Sequence, residues 1–198
     1  MQAILPSEYT INVQDFPDQP TYALHSRSTI REALRAQTDV RWTLVCNGWF
    51  MDYLLRPPQC GLTDLARGWC TNNDAKVFDL YGDGLQEVSL ASVRDTARAV
   101  LALLEGDVDQ WTDFTFLSAQ TLTYVELYEL LKSRDPSWIV RKVSFTEVLN
   151  AVSQDDGKGN NVVDFLRVMG FTNCNNMPEH QTLKWGKDEA EAHKDVIP

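Results

Sequence analysis

The sequence has no cluster of lysine or arginine. Its 18 Lys+Arg stand against 28 Asp+Glu, for a net charge of -10 and an isoelectric point near 4.7. Such a chain repels a polyanion, which excludes the basic face that nucleic-acid binding needs. It also lacks any apolar run approaching the ~20 residues of a bilayer-spanning helix, and Met1–Pro6 has neither the basic nor the long apolar region of a secretory signal. Four cysteines, Cys46, Cys60, Cys70 and Cys174, form no Cys-x-x-Cys pair, and no Asn-x-Ser/Thr site exists. These features predict reduced thiols in a cytoplasmic protein with no membrane contact. Three isolated histidines, His25, His180 and His193, exclude a histidine-cluster metal site. Glycine is sparse, 10 in 198 residues. Gly82-x-Gly84 is followed by the strand-like Leu85-Gln86-Glu87-Val88, so it reads as a hairpin turn rather than a phosphate loop.

What is present is enough apolar sequence, 43%, to bury a core without staples. Four segments open with Ser or Thr followed three residues later by an acid, the capping box that satisfies free amides at a helix start. Thr29…Glu32 opens one helix. Ser92…Asp95 opens another with Val93, Ala97, Val100, Leu101 and Leu104 on one stripe. Thr123…Glu126 and Ser144…Glu147 open two more, the last carrying Phe145, Val148, Leu149 and Val152. A fifth helix is expected over Asn161–Met169, stopped by Gly170. Between them, 3–5, 41–46, 77–80, 86–90, 114–117 and 139–143 have strand character. This alternation predicts an α/β domain with a mainly parallel sheet over residues 1–183, and a polar tail at 184–198.

The most informative stretch is Asn47-Gly48-Trp49-Phe50-Met51-Asp52-Tyr53. It places two aromatics, an amide, an acid and a phenol directly after the best buried strand. In open α/β sheets ligands sit outside the carboxyl ends of strands, and Ser7-Glu8-Tyr9 follows the first strand in the same way. His25, beside Arg27, is a candidate acid or base near neutral pH. Tyr128-x-x-x-Lys132 has the spacing of a dehydrogenase Tyr–Lys pair but reads as an ordinary amphipathic helix face.

Taken in order, several of these stretches resemble the NmrA-like, isoflavone-reductase-like group of atypical short-chain dehydrogenases: Ile4-Leu5-Pro6-Ser7-Glu8-Tyr9, Trp42-Thr43-Leu44-Val45-Cys46-Asn47-Gly48-Trp49-Phe50, Val88–Ala97 and Leu122-Thr123-Tyr124-Val125-Glu126-Leu127. The resemblance implies a truncated Rossmann-like, mainly parallel sheet carrying the group's C-terminal substrate-binding portion, without the Gly-rich dinucleotide-binding half. Where the group has a catalytic lysine, this sequence has Arg27, which cannot act as a general base. The resemblance therefore implies substrate-binding roles for Ser7, Glu8, Tyr9, Asn47, Trp49 and Phe50, with His25, Arg27 and Tyr53 as catalytic candidates.

Three functions follow, in this order. The first is a secondary-metabolism enzyme doing non-redox acid/base chemistry (isomerase, cyclase or dehydratase) on a small apolar or aromatic substrate, with no cofactor. The second is a reductase using NADP, completed by oligomerisation or present as a fragment. The third is a non-catalytic regulatory protein. Without central strands beside it, the first strand keeps an unpaired edge, which predicts a homo-oligomer, such as a homodimer, or a partner chain covering it.

Overall fold

The computed structural model describes residues 3–17, 19, 22–55, 61, 62, 69–154, 162–179 and 182–184, without the side chains of 22–26, 162 and 182–184. His180, His193 and Cys60 lie outside the described residues. The elements in order are β1 (Ala3–Ile4), α1 (Tyr22–Arg35), β2 (Arg41–Trp42), β3 (Leu44–Cys46), β4 (Trp49–Phe50), β5 (Thr71–Asn72), β6 (Val77–Tyr81), β7 (Glu87–Ala91), α2 (Val93–Glu105), β8 (Phe114–Ser118), β9 (Gln120–Thr123), α3 (Tyr124–Arg134), β10 (Ile139–Val143), α4 (Phe145–Ser153), α5 (Val162–Val168) and β11 (Thr182–Lys184).

A parallel array runs β1, β2 with β3, β8, β11. β1 pairs with β2, β3 pairs with β8, and β8 pairs with β11, all in parallel. β2 and β3 are one run interrupted at Thr43, whose buried hydroxyl lies 2.8 Å from that of Thr115 on β8. Two further three-stranded groups flank the array: β4-β7-β9, with β9 antiparallel to β7, and β10-β6-β5, with β5 antiparallel to β6. The fold is thus the mixed α/β, mainly parallel arrangement that the alternating pattern predicts. Among the described residues β1 pairs with β2 alone, and Ala3 and Ile4 are exposed.

Three capping expectations hold. Ser92, Thr123 and Ser144 each accept from the backbone N–H three residues on, and Glu126 returns the bond to Thr123. Other expectations give way. Helix α1 begins at Tyr22, not at Thr29, because nothing in 22–28 breaks a helix and Arg27 and Arg31, one turn apart, both anchor on Glu8. The Gly82–Gly84 turn exists, with both glycines at positive φ, but it does not make a hairpin. β6 pairs with β5 and β10, whereas β7 pairs with β4 and β9, so the chain leaves one group of strands and enters another. The stripe expected on α2 also forms, but Val93, Leu101 and Leu104 point to solvent. The helix turns Thr96 and Ala99 to the sheet instead, with Leu103 and half-buried Val100 beside them against Val45 and Leu117. Small side chains on that side allow close approach. Helix α5 passes into a 3-10 turn, Met169–Phe171, that contains Gly170. A Cβ on Gly170 would lie 2.3 Å from the Tyr81 ring, so the glycine serves packing there as well.

Cys46, Cys70 and Cys174 are free and buried. Burial pushes the Cys46 and Cys174 thiols up to about 12, and it raises the Cys70 thiol well above its ordinary value. They are small core side chains that stay protonated.

Candidate functional site

Because β1, β2 and β3 run in parallel, the loops after β1 and β3 leave the sheet at the same end. They meet at Thr10: its carbonyl accepts from the N–H groups of both Asn47 and Gly48, at 3.1 and 3.0 Å, and Thr10 bridges to Cys46 in parallel. Gly48 is held at φ +65°, and a Cβ there would sit 2.1 Å from the carbonyl oxygen of Ser89 on β7. Only glycine permits this approach of the turn to the neighbouring strand. The expectation that the two loops share one region is met.

In the first loop Glu8 is buried and faces helix α1. Its Oε1 is 3.2 Å from Arg31 Nη1 and 3.7 Å from Arg27, and Arg27 Nη1 also donates to the Glu8 carbonyl at 2.6 Å. Burial pushes the Glu8 carboxyl up from its ordinary value, against the pull of the two guanidinium groups. Tyr9 adopts a positive φ of 39° and packs beside Val45, Ala99 and Leu117. Ser7 is exposed.

In the second loop Asn47 is wholly enclosed, and neither its Nδ2 nor its Oδ1 has a hydrogen-bond partner. Trp49 is buried in strand β4. Phe50 is half-buried and leads into a 3-10 turn, Met51–Leu54, that carries half-buried Tyr53. Asn73 Nδ2 donates to the Tyr53 carbonyl at 2.9 Å, and Asp52 Oδ2 accepts from the N–H of Val93 at the start of α2. Trp49 packs edge-on to Tyr53 at 6.1 Å and lies 4.4 Å from Trp69. Trp69 continues to Tyr124, and Tyr124 to Tyr81. The indole N–H groups of Trp49 and Trp69 and the hydroxyl of Thr71 are buried without a hydrogen bond.

Of the sequence-predicted residues, the fold brings Trp49 and Tyr53 into one aromatic cluster, whereas Tyr9 packs in a second apolar group with Val45 and Leu117. Arg27 is engaged with Glu8 rather than free. His25 lies in the first turn of α1, with its side chain outside the described residues. Tyr128 is buried on Phe78, and the Lys132 ammonium lies over its ring, 5.3 Å from the centroid. Sequence reasoning missed Arg31, Trp69, Thr71 and Tyr124, which reach the cluster from distant parts of the chain. Among the described residues no group of acidic, histidine and cysteine side chains could hold a metal ion, and no helix is long and apolar enough to cross a membrane. A cleft of about 280 Å³ between Leu34, Arg35, Trp42 and Trp111 opens beside Arg41, at the other end of the same strand run.

No protein-family model matches the chain. Two curated relatives, each named oxidoreductase swnR, come from Arthroderma benhamiae and Metarhizium robertsii. Each is 24% identical over 192 residues, covering 96% of this chain and 60% of the relative, so the chain spans about three fifths of their length. Among solved structures, isoflavone reductase matches with a TM-score of 0.65 at 16% identity, over 98% of this chain and 62% of that one. Leucoanthocyanidin reductase from Vitis vinifera, in a binary complex with NADPH, matches with a TM-score of 0.64 at 17% identity, over 92% and 59%. AtPrR2 with NADP+ and (+)pinoresinol matches with a TM-score of 0.65 at 16% identity, over 92% and 58%. The expectation of a protein without a cofactor is thereby corrected: two of these three solved neighbours carry NADPH or NADP+. The architecture of this chain is the Rossmann-like fold of isoflavone reductase.

Proposed function

We propose that this chain forms the substrate-facing part of an NADP(H)-dependent reductase that acts on a small, apolar, ring-bearing molecule. The observation that supports this reading best is Asn47, an amide enclosed where two parallel strands end, with both of its polar atoms unpartnered. Leaving such a group unsatisfied costs free energy in the folded chain. A ligand bearing a carboxamide satisfies both atoms at once, and the nicotinamide ring carries that group. The residues present therefore fit the ring end of the cofactor. Among the described residues no glycine-rich turn feeds a helix N-terminus, so the diphosphate is left to polypeptide outside them.

A bound nicotinamide supplies or accepts the hydride. In this reading Asn47 orients the ring, and Trp49, Phe50 and Tyr9 each contribute apolar surface around the substrate. Tyr53 and His25 carry the proton that accompanies reduction, and Ser7 stands at the mouth. Arg27 is a positioning residue: by holding the Glu8 carbonyl and carboxylate it fixes the loop that carries Tyr9. Among the described residues β1 pairs with β2 alone, and in this reading further polypeptide pairs with its other edge. The non-redox chemistry placed first on sequence grounds has no support among the relatives, which are named as oxidoreductases or reductases.

Because Asn47 is fully enclosed, a ligand that uses it must first open the packing around it, and buried Trp49 lies only two residues along the chain. NADPH, or reduced nicotinamide mononucleotide as the ring end alone, should therefore change tryptophan emission. Asn47→Leu should weaken that response about tenfold, the worth of one good polar contact. Emission that stays unchanged up to about 5 mM of either nucleotide, a range that still captures millimolar affinity, overturns the reading.

A further inference from the structure

Helix α2 has two faces of opposite fate. Thr96 and Ala99 are buried against the sheet, whereas Val93, Leu101 and Leu104 are 37%, 54% and 57% exposed, and Ala97 between them is exposed as well. Positions i, i+4, i+8 and i+11 lie on one side of a helix, so these four make a continuous apolar stripe. Asp95 and Arg98 are already occupied, paired with each other at 3.4 Å and, for Asp95, with Ser92. Arg94 and Glu105 stand along the same flank of the stripe, both exposed, and neither makes an ion pair among the described residues.

We propose that this stripe is covered by the same stripe of a second copy of the chain, with the two α2 helices antiparallel about a twofold axis that crosses the stripe at the level of residue 99. An interface of this kind must be complementary to itself, and the α2 sequence is. A twofold at residue 99 sets Val93 against the partner's Leu104 and Ala97 against the partner's Leu101. The same operation sets Arg94 against the partner's Glu105, on the same side of the helix pair. The three pairings centre within one residue of each other, about the 1.5 Å rise of a single helical step. Ala97, the small residue of the stripe near its middle, lets the helices approach to the ~8–10 Å of ordinary packing. The opposite charges sit at equal distances from the axis, so each copy meets two attractive pairs and no like-charge pair. A chain carrying a net charge of -10 would otherwise repel its copy. A single helix pair is a small interface, so the dimer is reversible and concentration-dependent. The stripe meets the candidate site at its first residue, where the Val93 N–H donates to Asp52 Oδ2, but the inference does not depend on the proposed activity.

Sedimentation equilibrium of the purified chain, from about 1 µM to 1 mM so as to bracket weak association, tests it. A monomer–dimer equilibrium is expected. Leu101→Glu, which places two buried charges in the interface, should weaken it at least about a hundredfold. Arg94→Glu or Glu105→Arg alone should weaken it several-fold, and the double exchange Arg94→Glu/Glu105→Arg should restore it, because both pairs reverse together. All four positions are at the surface, and unchanged circular dichroism confirms that the variants are folded. A monomer over the whole range overturns the proposal. So does a dimer indifferent to Leu101→Glu, a dimer lost instead through Ile4→Lys at the β1 edge, or a double exchange that fails to recover association.

Discussion

The two loops that leave the parallel array at the same end solve the problem of buried polarity in opposite ways. The loop after β1 buries a charge and pairs it fully: Glu8 has Arg31 at 3.2 Å and Arg27 at 3.7 Å, and even its carbonyl is used. The loop after β3 buries a neutral amide and pairs none of it, since both side-chain atoms of Asn47 lack a partner. Removing one half of a buried ion pair exposes the other half to a large desolvation penalty. Removing an amide that already lacks partners takes away a burden. The first loop is therefore built for the fold, and the second bears a cost that the proposed ligand would relieve.

Three measurements sharpen or break this contrast. The largest effect is expected from Arg31→Met, which should lower unfolding stability by about 3 kcal/mol in urea titrations. A loss below about 1 kcal/mol, the worth of an exposed pair, would show that the Glu8 pair is dispensable. Asn47→Leu comes next, with the opposite character. Stability should stay within about 1 kcal/mol of the parent or rise, while the nucleotide response falls. A loss comparable to that of Arg31→Met would mean that Asn47 holds the turn together. The smallest effect belongs to Asp135, which has its partners without burial. The Ser137 hydroxyl, then Lys76 and the Ser137 N–H, pull its carboxyl down to about 2 from 3.8. Its contribution is present above the ordinary carboxylate value and is lost as pH falls through about 2. Asp135→Asn should flatten the acid limb of a pH–melting curve between roughly pH 4 and 2. An unchanged acid limb would remove Asp135 from the comparison.

Local chemistry in the sequence located the helix starts at Ser92, Thr123 and Ser144, because a capping residue and its partner lie three positions apart. It also located the Asn47–Tyr53 cluster, because a buried strand ending in a turn with clustered aromatics is a short-range pattern. Tertiary partnership was not legible. The periodicity of α2 identifies an apolar stripe but does not say which side the sheet covers. The Gly82 and Gly84 pair identifies a turn without naming the strands it joins. Glu8 and Arg31 are 23 residues apart, and the cluster joins Trp49 to Trp69 and Trp69 to Tyr124 across comparable or longer stretches of chain. No spacing rule connects them, so half of the site was invisible until the chain was folded. The seventh residue of the expected fifth helix, Arg167, is likewise bound to Glu147 at 2.7 Å by folding alone.

Where the last described turns of the chain sit bears on how the protein is made. The Asn12 N–H donates to the Cys174 carbonyl at 2.8 Å, Asn12 Nδ2 reaches the Asn176 carbonyl 164 residues away, and the Met177 N–H donates to Ser89 Oγ at 3.0 Å. A nascent chain cannot form these bonds until residue 177 has left the ribosome, roughly ten seconds or more after residue 12 at ordinary translation speeds. Over that interval Asn12 and Ser89 wait without these late partners, so chaperones have time to act on the incomplete chain.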